Sequence, residues 1–254
     1  MKTAIVIPAR LESTRLPRKL LLNETGKSLI EHTYLAASSS QLADSIIVAT
    51  DSVEIFDVVR SFGGEACMTS VDHLSGTDRI AEAVEKTDAE LIVNVQGDEP
   101  EINSEFIDLV FKRLLDANGP MIATLATPIT TISQMGDPSC VKVVFDKNGK
   151  ALYFSRSPIP MARDQSFIEG YFAKSQFKSN PAFFQHVGIY GYHRHFLEQI
   201  PNLPCCQSEQ LESLEQLRFL HHGWPIFVDV IEHSASGIDT AEDYALFVNR
   251  TLNG

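Results

Sequence analysis

Arg10, Arg15, Arg18 and Lys19 crowd one short stretch that also carries Ser13 and Thr14, directly after the apolar run Ala4-Ile5-Val6-Ile7. Arg offers phosphate a rigid fork of donors and Lys a mobile point charge, so this loop reads as a seat for a polyanion. A solvated loop with scattered charges is the plain alternative. Asp98 lies in Asn94-Val95-Gln96-Gly97-Asp98-Glu99-Pro100. It is a hard oxygen donor of the kind Mg²⁺ takes together with water and phosphate oxygens. Gly97 lets the backbone bend or approach closely, and Gly-Asp-Pro equally builds an ordinary turn. Glu99 suits a surface or capping role better than a further ligand position. Asp239, in Gly237-Ile238-Asp239-Thr240, is the best candidate for a second carboxylate. The same place suits the N-cap of a final helix, with Glu242 completing a capping arrangement.

Other polar clusters are less specific. His73-Leu74-Ser75-Gly76-Thr77-Asp78-Arg79 precedes a helical pattern, and its N–H groups suit either an anion or a plain capped start. Arg156, at the end of Tyr153-Phe154-Ser155-Arg156, has the fork geometry for capturing a carboxylate. His186 and Tyr190 share one strand face, where a buried structural His and a core Tyr are the default. Glu209, Glu212 and Glu215 recur at helical spacing and read as a solvated acidic stripe, with Gln216 and Arg218 adding polar reach.

The elements that must position these groups follow from hydrophobic periodicity. Strands are expected at residues 3–8, 45–50, 65–67, 91–96 and 121–126, alternating with helices at 29–38, 53–62, 77–86 and 104–117, the last capped by Ser104. That alternation predicts an α/β fold: a mainly parallel sheet with helices on both faces and ligands at the carboxyl ends of its strands. Farther on, 141–145 and 151–154 flank Asp146-Lys147-Asn148-Gly149, a hairpin signal. Residues 161–182 read as an irregular flexible loop, 183–192 and 226–230 as strands, and 208–221 and 240–252 as helices. At 254 residues the chain has room for one large α/β domain or two small ones, and the mixed second half reads as built onto the same sheet.

Composition bounds the ligand. The net charge is -12, which argues against nucleic acid or an anionic membrane as partner and for a small polyanion such as a nucleoside triphosphate. The four cysteines, Cys67, Cys140, Cys205 and Cys206, show no CxxC spacing, so neither a zinc site nor a disulfide framework is expected. No signal peptide or transmembrane segment is read, and a cytoplasmic location is expected.

Eight segments in order resemble the 3-deoxy-manno-octulosonate (Kdo) cytidylyltransferases of lipopolysaccharide synthesis. They are Ile7–Lys19, His73–Arg79, Asn94–Pro100, Asp137-Pro138 with Val141–Val144, Ala151–Pro160, His186–Tyr192, Leu214–Arg218 and Gly237–Thr240. The resemblance implies a Rossmann-like nucleotidyltransferase fold with a mixed, mostly parallel sheet, in a single domain with a nucleotide part over about 1–130 and a sugar-acid and dimerisation part over about 131–254. It further implies a homodimer that uses Mg²⁺ to join CTP and Kdo into CMP-Kdo, releasing pyrophosphate. It places Pro8, Ala9, Arg10, Ser13, Arg15, Lys19, Ser75, Gly76, Arg79 and Gln96 around the nucleotide. Asp98 and Asp239 would be metal carboxylates, and Lys19 and Arg10 would join them as catalytic groups. Arg156, His186, Tyr190, Glu215 and Gln216 would hold the sugar acid. The chain departs from the pattern at Arg18 and Leu20, which flank Lys19 where the family carries Gly and Pro, and Arg18 has no implied role. A sialic acid or 8-amino-Kdo as acceptor is the nearest rival. A nucleotide-binding protein without turnover and a glycosyltransferase fit Lys19, Asp98 and the Gln-Gly-Asp sequence less well.

Overall fold

The computed structural model describes residues 1–73, 75–116, 121–233 and 237–253. Residues 74 and 117, part of the expected 73–79 segment and 104–117 helix, lie outside them. Along the chain run β1 (Thr3–Ala9), α1 (Leu29–Ala37), β2 (Ser45–Thr50), α2 (Val53–Ser61), β3 (Ala66–Met68), α3 (Gly76–Glu85), β4 (Leu91–Asn94) and α4 (Ser104–Leu115). They are followed by β5 (Ile122–Pro128), α5 (Ile132–Gly136), β6 (Lys142–Phe145), β7 (Ala151–Ser155), α6 (Gln165–Ala173), β8 (Phe184–His193) and α7 (Arg194–Leu197). The last elements are α8 (Gln207–Glu212), α9 (Gln216–His221), β9 (Ile226–Val230) and α10 (Ala241–Asn253).

Two compact units are formed. The first comprises Met1–Lys112, Ile189–Pro201 and Ala235–Gly254, and the second Arg113–Gly188 and Asn202–Ser234. After Lys112 the chain returns to the first unit twice, because the end of β8 pairs with β4 and the 238 segment bonds back to Asp98.

In the first unit the strand order is β3-β2-β1-β4, with the end of β8 beside β4. Ile5 faces Ile46 on one side and Val93 on the other, both in parallel register, while Asn94 faces Tyr190 in antiparallel register. Ala4, Ile5, Val6 and Ile7 are all fully buried. That continuous apolar run, without alternation, is the mark of a strand covered on both faces. The parallel strands release the chain on one side, so residues following β1, β2 and β4 emerge together. Ser28, Ser52 and Ser75 cap α1, α2 and α3 by accepting from Glu31, Ile55 and Asp78 backbone N–H groups. The cap expected of Ser104 belongs to Asn103, whose Oδ1 accepts from Glu105 N at 2.9 Å.

In the second unit β5 runs parallel to β9, and β6 pairs antiparallel with both β7 and β8. The hairpin turn forms as read: Gly149 has φ of 83°, and a Cβ there would lie 2.8 Å from the Val228 carbonyl oxygen. Two expectations fail here. Residues 161–182 are not an irregular loop. They hold α6 and a 3₁₀ turn at Gln176–Lys178, and Tyr171 and Phe183 pack with Ile129, Met135 and Cys140. The apolar surface comes from aromatics set among polar residues, which hides the helical period. The expected 208–221 helix is broken at Ser213, which adopts φ of 50° as the left-handed cap of α8. Among the described residues, no helix is long and apolar enough to cross a membrane.

Candidate active site

The segment after β1 enters a loop that ends in a 3₁₀ turn at Lys19–Leu21. That turn buries Leu20 and carries Lys19 toward the end of β4. Lys19 Nζ donates to the Asp98 carboxylate, to Asp239 Oδ1 at 3.2 Å and to the Ile238 carbonyl at 2.9 Å. Arg15 adds a second cation on Asp239 Oδ1 at 2.9 Å. Two carboxylates from distant parts of the sequence thus converge on one ammonium, which is only 13% exposed. Gly97 permits the approach: a Cβ there would lie 3.2 Å from the Pro8 carbonyl oxygen, and its own carbonyl accepts from Thr33 Oγ1 at 2.9 Å.

Asp239 stood between a capping role and a site role. Thr240 is the cap: its Oγ1 accepts from Asp243 N at 3.1 Å, and the Asp243 carboxylate accepts in return from Thr240 N at 2.8 Å. Asp243, not Glu242, completes that arrangement. The Asp239 carboxylate is therefore released toward Lys19 and Arg15, and Ile238 N, donating to the Asp98 carbonyl at 2.9 Å, fixes its segment against Asp98. Next door, burial and then the Asp98 charge push the Glu99 carboxyl up to about 8, so it adds no full charge to the site at neutral pH.

A hollow of about 370 Å³ surrounds this point, lined by Pro8, Arg10, Ser13, Arg15, Lys19, Gly76, Gln96, Asp98 and Asp239 among others. A second hollow of about 830 Å³ shares Arg10, Glu12, Ser13 and Thr14 with it and extends to Leu11, Pro17, Asp51, Val71 and His73. Arg10 is steadied by donating to the His73 carbonyl at 2.9 Å. Among the described residues no group of three or more His, Cys, Asp or Glu side chains is arranged to hold a metal. A pair of hard carboxylates leaving room for phosphate oxygens and water is the donor set Mg²⁺ favours, so Asp98 and Asp239 fit that ion.

Other expected site residues lie elsewhere. Ala9 is 1% exposed at the end of β1 and does not line either hollow. The Ser75 hydroxyl is committed to capping α3, accepting from Asp78 N at 3.0 Å. Arg79 is fully buried and donates to Thr69 and to Asp51 Oδ2 at 2.7 Å, so it touches neither hollow. Arg18 finds its partner in Glu54 of the first turn of α2.

Tyr190 belongs to the first unit, is 8% exposed and stacks on Tyr192 with ring centroids 5.8 Å apart. Arg156, His186, Glu215 and Gln216 belong to the second. There the Arg156 fork is engaged by backbone carbonyls. Its Nε donates to the Glu212 carbonyl at 2.6 Å, and its two amino groups donate to Pro138 O at 2.9 Å and Ser213 O at 3.3 Å. The acidic residues are not a solvated stripe: Glu209 is 8% exposed and grips Arg218, while Glu212 accepts from Ser155 Oγ at 2.7 Å and Arg156 N at 2.9 Å. Glu215 stands 4.0 Å from Arg218, and Gln216 is buried. His186 Nε2 lies 3.0 Å from Thr124 Oγ1, and burial pushes its ring down to about 3, so it is neutral. Asp51 was missed by the sequence reading, although it follows a parallel strand as directly as the Asp98 loop does, which was the available signal.

A family model described as cytidylyltransferase matches residues 4–230. The chain belongs to that family. The 3-deoxy-manno-octulosonate cytidylyltransferase of Thermodesulfovibrio yellowstonii is 47% identical over 96% of this chain and 95% of its own. The enzyme of the same name from Rhodopirellula baltica is 46% identical over 98% of both chains. Among solved structures, the CMP:2-keto-3-deoxy-manno-octonic acid synthetase complexed with CTP superposes with a TM-score of 0.89, at 38% identity over 98% of both chains. The cytidylyltransferase segment thus spans the first unit's strands and all strands of the second.

Proposed function

We propose that this cytidylyltransferase transfers CMP from CTP to the anomeric hydroxyl of Kdo, giving CMP-Kdo and pyrophosphate. The observation that carries the reading is the convergence of Lys19 and Arg15 with Asp98 and Asp239 at the strand ends. The likeness over nearly full length to enzymes named for that reaction supplies the substrates.

In the reaction the Kdo hydroxyl oxygen forms a bond to the α-phosphorus as the bond from that phosphorus to the β-bridging oxygen breaks. The hydroxyl proton leaves to solvent and pyrophosphate departs. Phosphoryl-type transfer of this kind rests on positioning and charge neutralisation rather than on covalent help. Arg10, Arg15 and Lys19 take the charge that builds on the departing pyrophosphate, and the loop over residues 10–19 covers the phosphates. Asp98 and Asp239 would hold Mg²⁺, which when bound would supply charge neutralisation on the phosphates. Were those carboxylates to hold the ion, the Lys19 ammonium would turn to the triphosphate.

The enzyme works in the cytoplasm as a homodimer, and its product is the activated sugar acid consumed in lipopolysaccharide assembly. The test is pyrophosphate release with each ribonucleoside triphosphate, Mg²⁺ and a panel of Kdo, 8-amino-Kdo and a sialic acid. CTP with Kdo is expected to dominate, and Asp98→Asn to abolish the signal while leaving the circular-dichroism melt intact. Release with a sialic acid and none with Kdo would replace the acceptor. Near-normal turnover by Asp98→Asn would remove that residue from the reaction.

A further inference from the structure

Two acids that the reaction does not use line the larger hollow, Glu12 on the cation loop and Asp51. Asp51 follows the last residue of β2, and its side chain is 20% exposed. One of its oxygens, Oδ2, is taken by Arg79 at 2.7 Å. Arg79 is itself fully buried, and its other amino group is anchored on Thr69 Oγ1, while Thr69 N donates to the Thr50 carbonyl at 2.9 Å. A buried guanidinium therefore fixes the carboxylate in one orientation against the edge of the sheet. Its remaining oxygen is an acceptor only, since an ionised carboxylate has no proton to give. Asp51 lines the hollow with the apolar Leu11, Pro17 and Val71 and with His73. That hollow adjoins the Lys19 site through Arg10, Ser13 and Thr14. A nucleotide whose phosphates lie on the cation loop has this apolar space for its base.

We infer that Asp51 is the residue that selects cytosine: its Oδ1 accepts a hydrogen bond from the 4-amino group of the base, and Arg79 is the positioning residue that aims it. Cytosine presents a donor at that edge and uracil presents an acceptor oxygen. An acceptor-only carboxylate welcomes the first and repels the second, leaving both groups desolvated and unpaired. Arg79, placed by the resemblance beside the nucleotide, acts on it through Asp51 and not by contact.

This inference rests on CTP being the nucleotide, and the experiment separates the two. Binding of CTP and UTP, each with Mg²⁺, is measured by calorimetry on the full chain, without acceptor sugar. Turnover with Kdo is measured alongside. The wild type is expected to prefer CTP. In Asp51→Asn, the Arg79 donor grips the amide oxygen, which turns the amide NH₂ toward the base and matches uracil. The CTP-to-UTP preference should then fall on the order of a hundredfold, in binding and in kcat/KM through KM. A ratio within twofold of wild type, in a variant with the wild-type melt, overturns the assignment. A purely structural role for Asp51 would weaken both nucleotides together and leave the ratio unmoved, which likewise overturns it. Should Asp51→Asn fail to fold, the wild type decides with the triphosphate of pyrimidin-2-one riboside, which lacks the amino group. Binding as tight as CTP overturns the inference, and binding weakened on the order of a hundredfold supports it. Selective CTP binding that Asp51→Asn relaxes, with no turnover of Kdo, would tell against the acceptor and leave Asp51 in place.

Discussion

At the scale of single residues, Lys19 is the pivot. Its ammonium meets two carboxylates and a carbonyl oxygen in a partly dry pocket, where charge acts more strongly than in water. Lys19→Ala removes a cation from the place where pyrophosphate charge develops. We expect kcat/KM for pyrophosphate release to fall about a hundredfold to a thousandfold, with the fold retained. An unchanged rate would move the triphosphate elsewhere. His186 gives a prediction of another kind. Its ring is held at about 3 by burial, against 6.5 in the unfolded chain. Between those values the unfolded chain takes the proton and the folded one does not. The stability tied to a neutral ring is thus complete above 6.5 and is lost as the pH falls toward 3, by at most about 1.4 kcal/mol per pH unit. His186→Gln keeps a polar group for Thr124 without titrating. The stability of wild type relative to His186→Gln, from urea melts between pH 6.5 and 5, should decline as the pH falls. Parallel curves would mean that His186 titrates normally. Lys19 and Asp98 were legible because their types and their place after a strand already specify phosphate and cation chemistry. Arg79 was not, because burial depends on what packs over α3, and Asp239 was ambiguous because the choice of cap turns on one residue, Thr240.

At the scale of elements, buried polar side chains of the second unit hold segments together. Lys142, at the start of β6, is fully buried. Its three N–H groups donate to the carbonyls of Asp137, Cys140 and Arg156, each at 2.8 Å. Burial lowers its pKa, yet the three carbonyls use every proton the ammonium carries. Glu212 and Arg156 continue the same bracing from β7 to the break at Ser213. Such contacts are invisible in a sequence, because the acceptors are backbone atoms brought together only by the hairpin. Lys142→Met keeps the length of the side chain and removes every donor. Three carbonyls then lose a donor, of which Asp137 O keeps the Cys140 N–H at 3.1 Å, and we expect a loss of about 2–4 kcal/mol in a urea melt. A change below about 0.5 kcal/mol would show that water replaces the ammonium.

At the scale of the whole molecule, alternation of strands and helices was enough to read a mostly parallel α/β sheet with its ligand side at the strand ends. The path of the chain after residue 130 was not readable, because pairing between distant strands leaves no local period. β8 reaches the first unit at Ile189 and places Tyr190, Gly191, Tyr192 and His193 opposite Asn94, Val93, Ile92 and Leu91. The last segment then brings Asp239 to Lys19 and lays α10 down, with Tyr244 and Phe247 buried. A chain cut after residue 130 therefore loses more than an acceptor half. It loses the partner of β4, whose four residues are all buried in the intact protein, and one of the carboxylates on Lys19. An uncovered apolar strand edge is a template for pairing with other chains. Residues 1–130 made alone should collect in the insoluble fraction, and material refolded from denaturant should show no CTP binding by calorimetry. A soluble, monomeric fragment that binds CTP as tightly as the full chain would mean that the nucleotide needs neither the end of β8 nor Asp239. The cation loop after β1 would then suffice by itself.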